Sequence, residues 1–199
     1  MPSIERDAIV HIARRTGLMS VAHTSRRRDH VYRVVTLLLG VVLVPAALVV
    51  ARRRHAAGLA CRWALALRFP AENLAGLTPA ARAAFQKART RAFWRHGQLI
   101  GVTSGYRPAE HQARLYAEAA DRRTVLPPHE SRHVAGTALD VRPVEGARWL
   151  ERHGALHQLY RVYDNEWWHF EYRPEGRPER LPHPGALIDE REMMAAWPS

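Results

Sequence analysis

The stretch Ser131-Arg-His-Val-Ala-Gly-Thr-Ala-Leu-Asp140 decides the fold of this chain. Residues Thr137 to Val141 are β-branched or apolar at most positions, which predicts a short strand. Because side chains alternate along a strand, Asp140 can face a cleft while its neighbours anchor the strand in the core. Gly136 precedes this strand, and a residue that tolerates unusual backbone angles lets the chain turn there. That turn brings His133 back beside Asp140.

A second informative segment is Glu166-Trp-Trp-His-Phe-Glu-Tyr172, which also alternates. As a strand it puts aromatic side chains on one face and His169 with Glu171 on the other. Glu166 and His169 are three residues apart and would then lie on opposite faces. We therefore expect a bend at Asn165 to Trp167 that brings Glu166 to the side of His169. If the chain stayed extended there, Glu171 would be the better placed acid.

Two histidines, an aspartate and a free glutamate in this pattern fit a catalytic metal centre better than packing. A catalytic zinc site needs three protein ligands, an open position for water and a base for the proton of that water. His133, Asp140 and His169 can supply the ligands. Glu166 can supply the base, with Glu171 as the competing base. Any one of the 12 histidines alone is more often a surface or core residue, so the coincidence of both segments favours ligation.

Three motifs occur in the same order as in the LAS-type zinc peptidases. They are Thr103-Ser-Gly-Tyr-Arg-Pro108, the Ser-x-His-x-x-Gly-x-Ala-x-Asp run from Ser131 to Asp140, and Glu166-Trp-Trp-His169. Over residues 75 to 175 the chain resembles this family, which includes VanY-like D-alanyl-D-alanine carboxypeptidases, related dipeptidases and some phage endolysins. The resemblance implies an α+β fold, a Zn²⁺ cofactor and peptidoglycan stem peptides as substrates.

The resemblance also implies a role for each matching residue. It assigns zinc binding to His133, Asp140 and His169. Glu166 would be the general base, and Arg107 would stabilise the negative charge that develops on the scissile carbonyl oxygen. A fixed guanidinium in that place contributes about 3 kcal/mol. Ser131 would help to bind the substrate.

Two departures from the family pattern concern the scissile bond. Many carboxypeptidase-like members have proline where this chain has Trp167, and the double tryptophan resembles the dipeptidase branch. The stretch from Trp149 to Gly154 resembles the carboxypeptidase branch, and the linker from Arg107 to Ser131 is short. We expect a D-alanyl-D-alanine carboxypeptidase-like enzyme. The alternatives are a D-Ala-D-Ala dipeptidase, an L,D-endopeptidase or a non-catalytic cell-wall-binding member.

The order of predicted elements favours an α+β fold with a small, mainly antiparallel sheet flanked by helices. Thr78 followed by Pro79 is a helix start, and Gly97 is a helix stop. The elements are a helix from Pro79 to Gly97, a strand from Gln98 to Ser104, a helix from Pro108 to about Ala120, a loop from Asp121 to Arg132, a short helix from Ala147 to His153, and two strands that follow it.

The net charge of +11 lies in the amino-terminal third of the chain. Residues 1–70 hold 12 arginines against three acidic residues, whereas residues 71–199 hold 18 basic and 16 acidic groups. The part with the candidate site is therefore nearly neutral. No recognised nucleic-acid motif accompanies the arginines, so we expect no nucleic-acid partner.

The apolar stretch at residues 31–51 predicts one transmembrane helix or signal anchor. About 20 residues at about 1.5 Å each cross a hydrocarbon core of about 30 Å. Arginines bracket the stretch in nearly equal numbers, so the positive-inside rule does not decide its orientation. A cell-wall substrate places the carboxyl-terminal domain outside a single-pass cell-membrane anchor. Cleavage of a signal peptide and secretion is the alternative.

These patterns divide the chain into five parts. They are a basic amino-terminal segment at 1–30, the apolar helix at 31–51, a basic amphipathic linker at 52–70, the zinc peptidase domain at 71–175 and a proline-rich tail at 176–199. Cys61 is the only cysteine, which excludes an internal disulfide and a cysteine-ligated zinc site.

Overall fold

The computed structural model describes residues 4–119 and 124–186, with side chains from residue 27 onward. Its order of elements confirms the predicted α+β fold. The elements are α1 (Ile4–Val50), α2 (Arg53–Arg68), α3 (Pro79–His96), β1 (Gly101–Ser104), α4 (Ala109–Glu118), β2 (Ala138–Arg142), α5 (Val144–His153), a 3-10 helix (Gly154–His157), β3 (Leu159–Arg161) and β4 (His169–Tyr172). The predicted helix end at Ala120, part of the following loop and the tail beyond Ala186 fall outside the described residues.

The sheet has the strand order β1-β2-β4-β3, and every neighbouring pair is antiparallel. One face packs against α3 and α5 and forms the main core. This core includes Phe85, Ala88, Ala92, Val102, Leu139, Val141, Trp149, Leu150 and Phe170. Residues that alternate with the core residues of β2 and β4 point to the other face, as the sequence predicts. The sheet therefore separates a dry core from a face that is free to carry polar side chains.

Helix α3 has the predicted ends. The Thr78 hydroxyl accepts a hydrogen bond from the Ala81 N–H at 3.2 Å, and Gly97 closes the helix in the left-handed conformation at φ 58°. The following strand begins later than the predicted Gln98, because the Gln98 N–H still bonds to the carbonyl of Ala92 in α3. Helix α5 begins at Val144 and not at the predicted Ala147.

Helices α1 and α2 form an antiparallel pair beside α3. The 24-residue part Arg27–Val50 of α1 is long and apolar enough to cross a membrane, a test that a signal sequence also passes. Helix α2 buries one side between α1 and α3, with Cys61 and Leu65 fully covered. The linker predicted at residues 52–70 thus contains a helix that packs on the rest of the protein. Much of the other side of α1 is exposed, for example Val42 at 71%.

The turn at Gly136 requires glycine for two reasons. Its φ is +67°, and a Cβ placed there would lie 2.5 Å from the carbonyl oxygen of Gly76. The Thr78 N–H donates a hydrogen bond to the Gly136 carbonyl at 2.9 Å, which fixes the turn against the start of α3. The predicted turn between His133 and β2 is therefore confirmed.

We predict that Gly136→Ala lowers the free energy of unfolding by about 2 kcal/mol or more, because a left-handed non-glycine residue costs roughly 1–2 kcal/mol before any clash. Urea unfolding followed by circular dichroism measures this change. The control is Gly58→Ala in α2, where no atom lies within 4 Å of the added methyl group. That substitution should be neutral or stabilising. Equal losses in both variants would contradict the role of the turn.

Candidate metal centre

Two strands and one turn bring three potential metal ligands together. Asp140 on β2 and His169 on β4 are direct cross-strand partners, and His133 lies in the turn before β2. The Asp140 Oδ1 atom lies 3.3 Å from His133 Nε2 and 3.1 Å from His169 Nδ1. The two histidine nitrogens are 3.3 Å apart. The three atoms therefore form a nearly equilateral triangle.

This triangle has the size that a tetrahedral zinc ion requires. Bonds of about 2.0–2.1 Å at tetrahedral angles place the ligand atoms about 3.3–3.4 Å apart. His133, Asp140 and His169 form a cluster that could hold a metal ion. Two imidazoles and one carboxylate are a donor set that suits zinc and leaves a fourth position for water. His133, Asp140 and His169 thus fit the zinc ion that the family resemblance implies.

A backbone carbonyl fixes the orientation of His133. Its Nδ1 lies 2.7 Å from the carbonyl oxygen of Gly105, which directly follows β1. Nδ1 therefore carries the proton and donates it to this oxygen, so the Nε2 lone pair faces the other ligands. The backbone N–H of Arg107 in turn donates a hydrogen bond to the backbone carbonyl of His133 at 3.1 Å. Two hydrogen bonds therefore join the turn at residues 104–107 to the turn that contains His133.

A buried glutamate fixes the orientation of His169. Glu171 is only 1% exposed, and its Oε1 lies 3.2 Å from His169 Nε2. Arg173 Nε donates to the other carboxylate oxygen of Glu171 at 2.7 Å. Glu171 and Asp140 therefore occupy opposite edges of the same imidazole. Glu171 faces away from the ligand cluster, which disfavours its alternative assignment as the base.

The charges of the cluster support one another. Burial opposes the ionisation of Asp140, but its polar contacts with His133 and His169 outweigh it and hold its pKa below the ordinary value. Burial lowers the pKa of His169, whereas Asp140 and Glu171 raise it, and the result is about 9. Without a metal, His169 therefore carries a proton at neutral pH. A metal ion has to displace that proton.

Glu166 lies beside the cluster without belonging to the triangle. Its Oε2 is 4.0 Å from His169 Nδ1, and its side chain is 15% exposed. The chain bends at Asn165 and turns before β4, where the His169 N–H bonds to the Glu166 carbonyl, so the predicted bend is confirmed. Burial raises the pKa of Glu166, and the charge of Asp140 raises it further, against His169, His133 and Arg107. A raised pKa suits a carboxylate that accepts and returns a proton.

Arg107 is held by polar partners at the same site. Its Nη1 donates to Gln112 Oε1 at 2.6 Å and its Nη2 to the Ser104 hydroxyl at 3.4 Å. Gln112 is 2% exposed and donates to the carbonyl of Leu126 at 2.6 Å. Ser131 is 5% exposed in the neighbouring turn. All six predicted residues line one cavity of about 230 Å³, namely Arg107, Ser131, His133, Asp140, Glu166 and His169.

Sequence reasoning missed several groups that complete the cavity. The carbonyl of Gly105 contacts His133 across 28 residues of the chain, and Gln112 joins Arg107 to the carbonyl of Leu126, 14 residues further on. Neither group has a sequence signal of its own. Tyr163 packs against His169 with the two rings tilted and their centres 5.1 Å apart, and it is 7% exposed. Burial and the nearby Glu171 and Glu166 raise the pKa of this phenol. An aromatic residue before β4 could only have been predicted as core.

Comparisons with known proteins give low-identity likenesses. No protein-family model matches the chain. No curated protein matches it either. Among solved structures, the chain is similar to a mutant of VanY, a vancomycin resistance D,D-pentapeptidase from a VanB-type cassette, solved in complex with Zn(II). The identity is 24% and the TM-score 0.44, over 48% of this chain and 72% of that chain.

Two further likenesses are to L,D-carboxypeptidases. The LdcB structure, which concerns peptidoglycan recognition, is 25% identical with a TM-score of 0.41, over 59% of this chain and 72% of that chain. DacB from Streptococcus pneumoniae is 23% identical with a TM-score of 0.40, over 60% and 73% of the two chains. The function proposed below rests on the side chains of the site itself.

We predict that the apparent zinc affinity rises about tenfold per pH unit between about pH 6.5 and 8.5, because zinc displaces the proton of His169 below its pKa. His169 loses this proton as the pH approaches its pKa of about 9, so the competition fades. Competition with a chromophoric chelator measures the affinity at each pH. An affinity that does not change over this range would contradict the assignment of His169 Nδ1 as a ligand.

We also predict that Glu171→Ala lowers zinc affinity about 10- to 100-fold, the usual effect of removing the partner of a ligand histidine. Glu171→Gln should lose less, since its amide oxygen can still accept from His169 Nε2. The matched control is Glu175→Ala, because Glu175 also pairs with Arg173 at 3.3 Å but is 62% exposed. The control should bind zinc like the wild type. Equal losses for Glu171→Ala and Glu175→Ala would show that Glu171 does not position His169.

Proposed function

We propose that this protein is a zinc-dependent peptidase of the D-alanyl-D-alanine carboxypeptidase type that hydrolyses D-Ala-containing stem peptides of peptidoglycan. One observation carries the proposal. Three ligand atoms with tetrahedral spacing share a cavity with an acid of raised pKa and a fixed arginine. A binding protein requires neither the acid nor the arginine. This combination therefore favours hydrolysis over a non-catalytic role.

The reaction follows from the positions of these groups. When bound by His133, Asp140 and His169, zinc would act as a Lewis acid and would lower the pKa of a bound water molecule. Glu166 accepts the proton of the attacking water and returns it to the leaving amine. Burial raises the pKa of its carboxylate, which suits it to this role. The proton balance closes, since one water adds across one peptide bond.

Arg107 acts on the charge that develops during attack. Its guanidinium is fixed by Gln112 and Ser104, so it is oriented before the substrate arrives. Such a preorganised donor stabilises a developing oxyanion by about 3 kcal/mol. Ser131 lies in the wall of the same cavity, where its position supports a role in binding the substrate.

A D-Ala-D-Ala dipeptidase is the second candidate. The observation that favours it is Trp167, which is 40% exposed and packs edge-on against Trp168 with ring centres 5.5 Å apart. Trp168 lines the cavity, so the double tryptophan that resembles the dipeptidase branch contributes to its wall.

We further propose that α1 anchors the protein in the cell membrane with the peptidase domain outside. The support is the length and apolar character of Arg27–Val50. The substrate proposed above requires the domain to face the cell wall. Secretion after signal cleavage remains the alternative for localisation.

The test of the proposed base is Glu166→Ala. We expect it to bind zinc like the wild type and to lose about a hundredfold or more in hydrolysis of D-Ala-terminated peptides. Metal content is measured by mass spectrometry, and the products of purified muropeptides are identified in the same way. Loss of one D-Ala indicates a carboxypeptidase, whereas cleavage of free D-Ala-D-Ala alone indicates a dipeptidase. The control Glu145→Ala changes an exposed acid of α5 and should keep full activity. Full activity in zinc-loaded Glu166→Ala would remove Glu166 as the base.

A further inference from the structure

The strongest feature outside the metal centre is the outer face of α1, which lies away from α2 and α3. We use this name for the exposed side chains among residues 34–50, all of which are apolar. The exposed fractions reach 55% at Val35, 71% at Val42 and 88% at Val49. At about 1.5 Å per residue the face is about 25 Å long. A continuous apolar surface of this size indicates contact with a membrane or with another protein.

The inner face of α1 packs against the rest of the protein over the same length. Gly40 lets α3 come close, since a Cβ on this residue would lie 2.5 Å from the ring of Phe93. Nearer the end of the helix, Ala47 is fully buried and packs in one cluster with Ala60 of α2. Helix α1 is therefore held along its length by α2 and α3 and does not stand apart from them.

This packing disfavours a helix that crosses the bilayer. The Trp94 ring lies beside Gly40, at the middle of the apolar stretch Arg27–Val50. Next to Trp94 in α3 are Arg91 and Arg95, and both are exposed. If α1 crossed a membrane with these contacts kept, both arginines would lie at the level of the hydrocarbon core. Charged side chains are costly at that depth.

We propose that α1 lies in the plane of the membrane surface, with its outer face in the outermost hydrocarbon layer, and does not cross the bilayer. The proposal rests on the membrane anchor proposed above and concerns only how that anchor lies. Helices of this kind bury one apolar face about 5–10 Å into the boundary between headgroups and acyl chains. Helices α2 and α3 then lie on the water side of α1, so Arg91 and Arg95 stay hydrated.

The charges at the two ends of the outer face select a lipid surface over a second copy of the chain. Exposed arginines lie at both ends, namely Arg27, Arg28, Arg52, Arg53 and Arg54. Asp29 is the only acid between residues 27 and 54, and its carboxylate faces Arg68 of α2 at 4.0 Å.

Two copies that paired through this face would bring arginines against arginines at both ends, whether the helices ran parallel or antiparallel. Like charges placed together destabilise such a pair. A bilayer instead offers hydrocarbon to the apolar side chains and anionic phosphates to both arginine clusters. The outer face therefore matches a membrane surface better than it matches itself.

Spin labels on the outer face measure how α1 lies in the membrane. The variants Val35→Cys, Val42→Cys and Val49→Cys place labels seven residues apart, on one side of the helix. Each full chain is reconstituted into vesicles of phosphatidylcholine and phosphatidylglycerol. The depth of each label follows from its collisions with oxygen and with a water-soluble nickel complex. We expect the same depth at all three positions, whereas a crossing helix would place the label at position 42 about 10 Å deeper than the other two.

The native Cys61 is the control for the packing of α1. This cysteine of α2 is fully buried in a cluster that Leu37 and Leu43 of α1 help to cover. We expect a membrane-permeant maleimide to leave Cys61 unmodified in the vesicles and to modify it fully after unfolding in urea. Reaction of Cys61 in the vesicles would show that α1 has left α2, which overturns the proposal.

The depth profile separates this proposal from the others. A label at position 42 about 10 Å deeper than those at 35 and 49 overturns the in-plane arrangement and leaves the membrane anchor in place. Three labels without lipid contact overturn both. Spin–spin broadening between two chains would show that a second copy covers the face, which also overturns the proposal. Labelling needs neither zinc nor substrate, so these results are separate from the fate of the proposed hydrolysis.

Discussion

The pairing of β2 with β4 is the constraint on which the site depends. Its register places Asp140 opposite His169 and Ala138 opposite Glu171. Direct cross-strand neighbours lie close enough for their side chains to meet, so the register alone brings a carboxylate and an imidazole together. A slip of β2 by one residue would turn Asp140 into the core and expose Leu139, while His169 on β4 kept its face. The hydrophobic face of the sheet therefore protects the geometry of the metal centre.

His169 has two acidic neighbours, one on its own strand and one that the β2–β4 register places opposite it, and they play different roles. Glu171 lies two residues along β4 on the same face, and it reaches the Nε2 edge of the ring. Asp140 meets the Nδ1 edge from the neighbouring strand. Arg173 compensates the charge of Glu171, which makes its nearly complete burial tolerable. The first acid orients the ring, and the second is proposed to bind the same zinc ion as His169.

The sequence predicted most of the site because its signals are local. The Gly136 turn, the alternation of β2 and the bend before His169 each follow from a few consecutive residues. The helix α3 was predicted equally well, since Thr78 and Gly97 mark its ends. The later start of β1 was missed because a bond from Gln98 to Ala92 belongs to the helix end. Gln112 was missed because it joins Arg107 to the carbonyl of Leu126, 14 residues further along the chain, and only the folded structure assigns that contact.

The central claim is that His133, Asp140 and His169 bind one zinc ion. X-ray absorption at the zinc edge of the loaded full chain tests it most directly. The expected spectrum shows two imidazoles and oxygen ligands at about 2.0–2.1 Å without sulfur, at one zinc per chain, and Asp140→Ala should lose that zinc. A sulfur ligand, a shell of oxygens without imidazole, or unchanged zinc binding in Asp140→Ala would contradict the account.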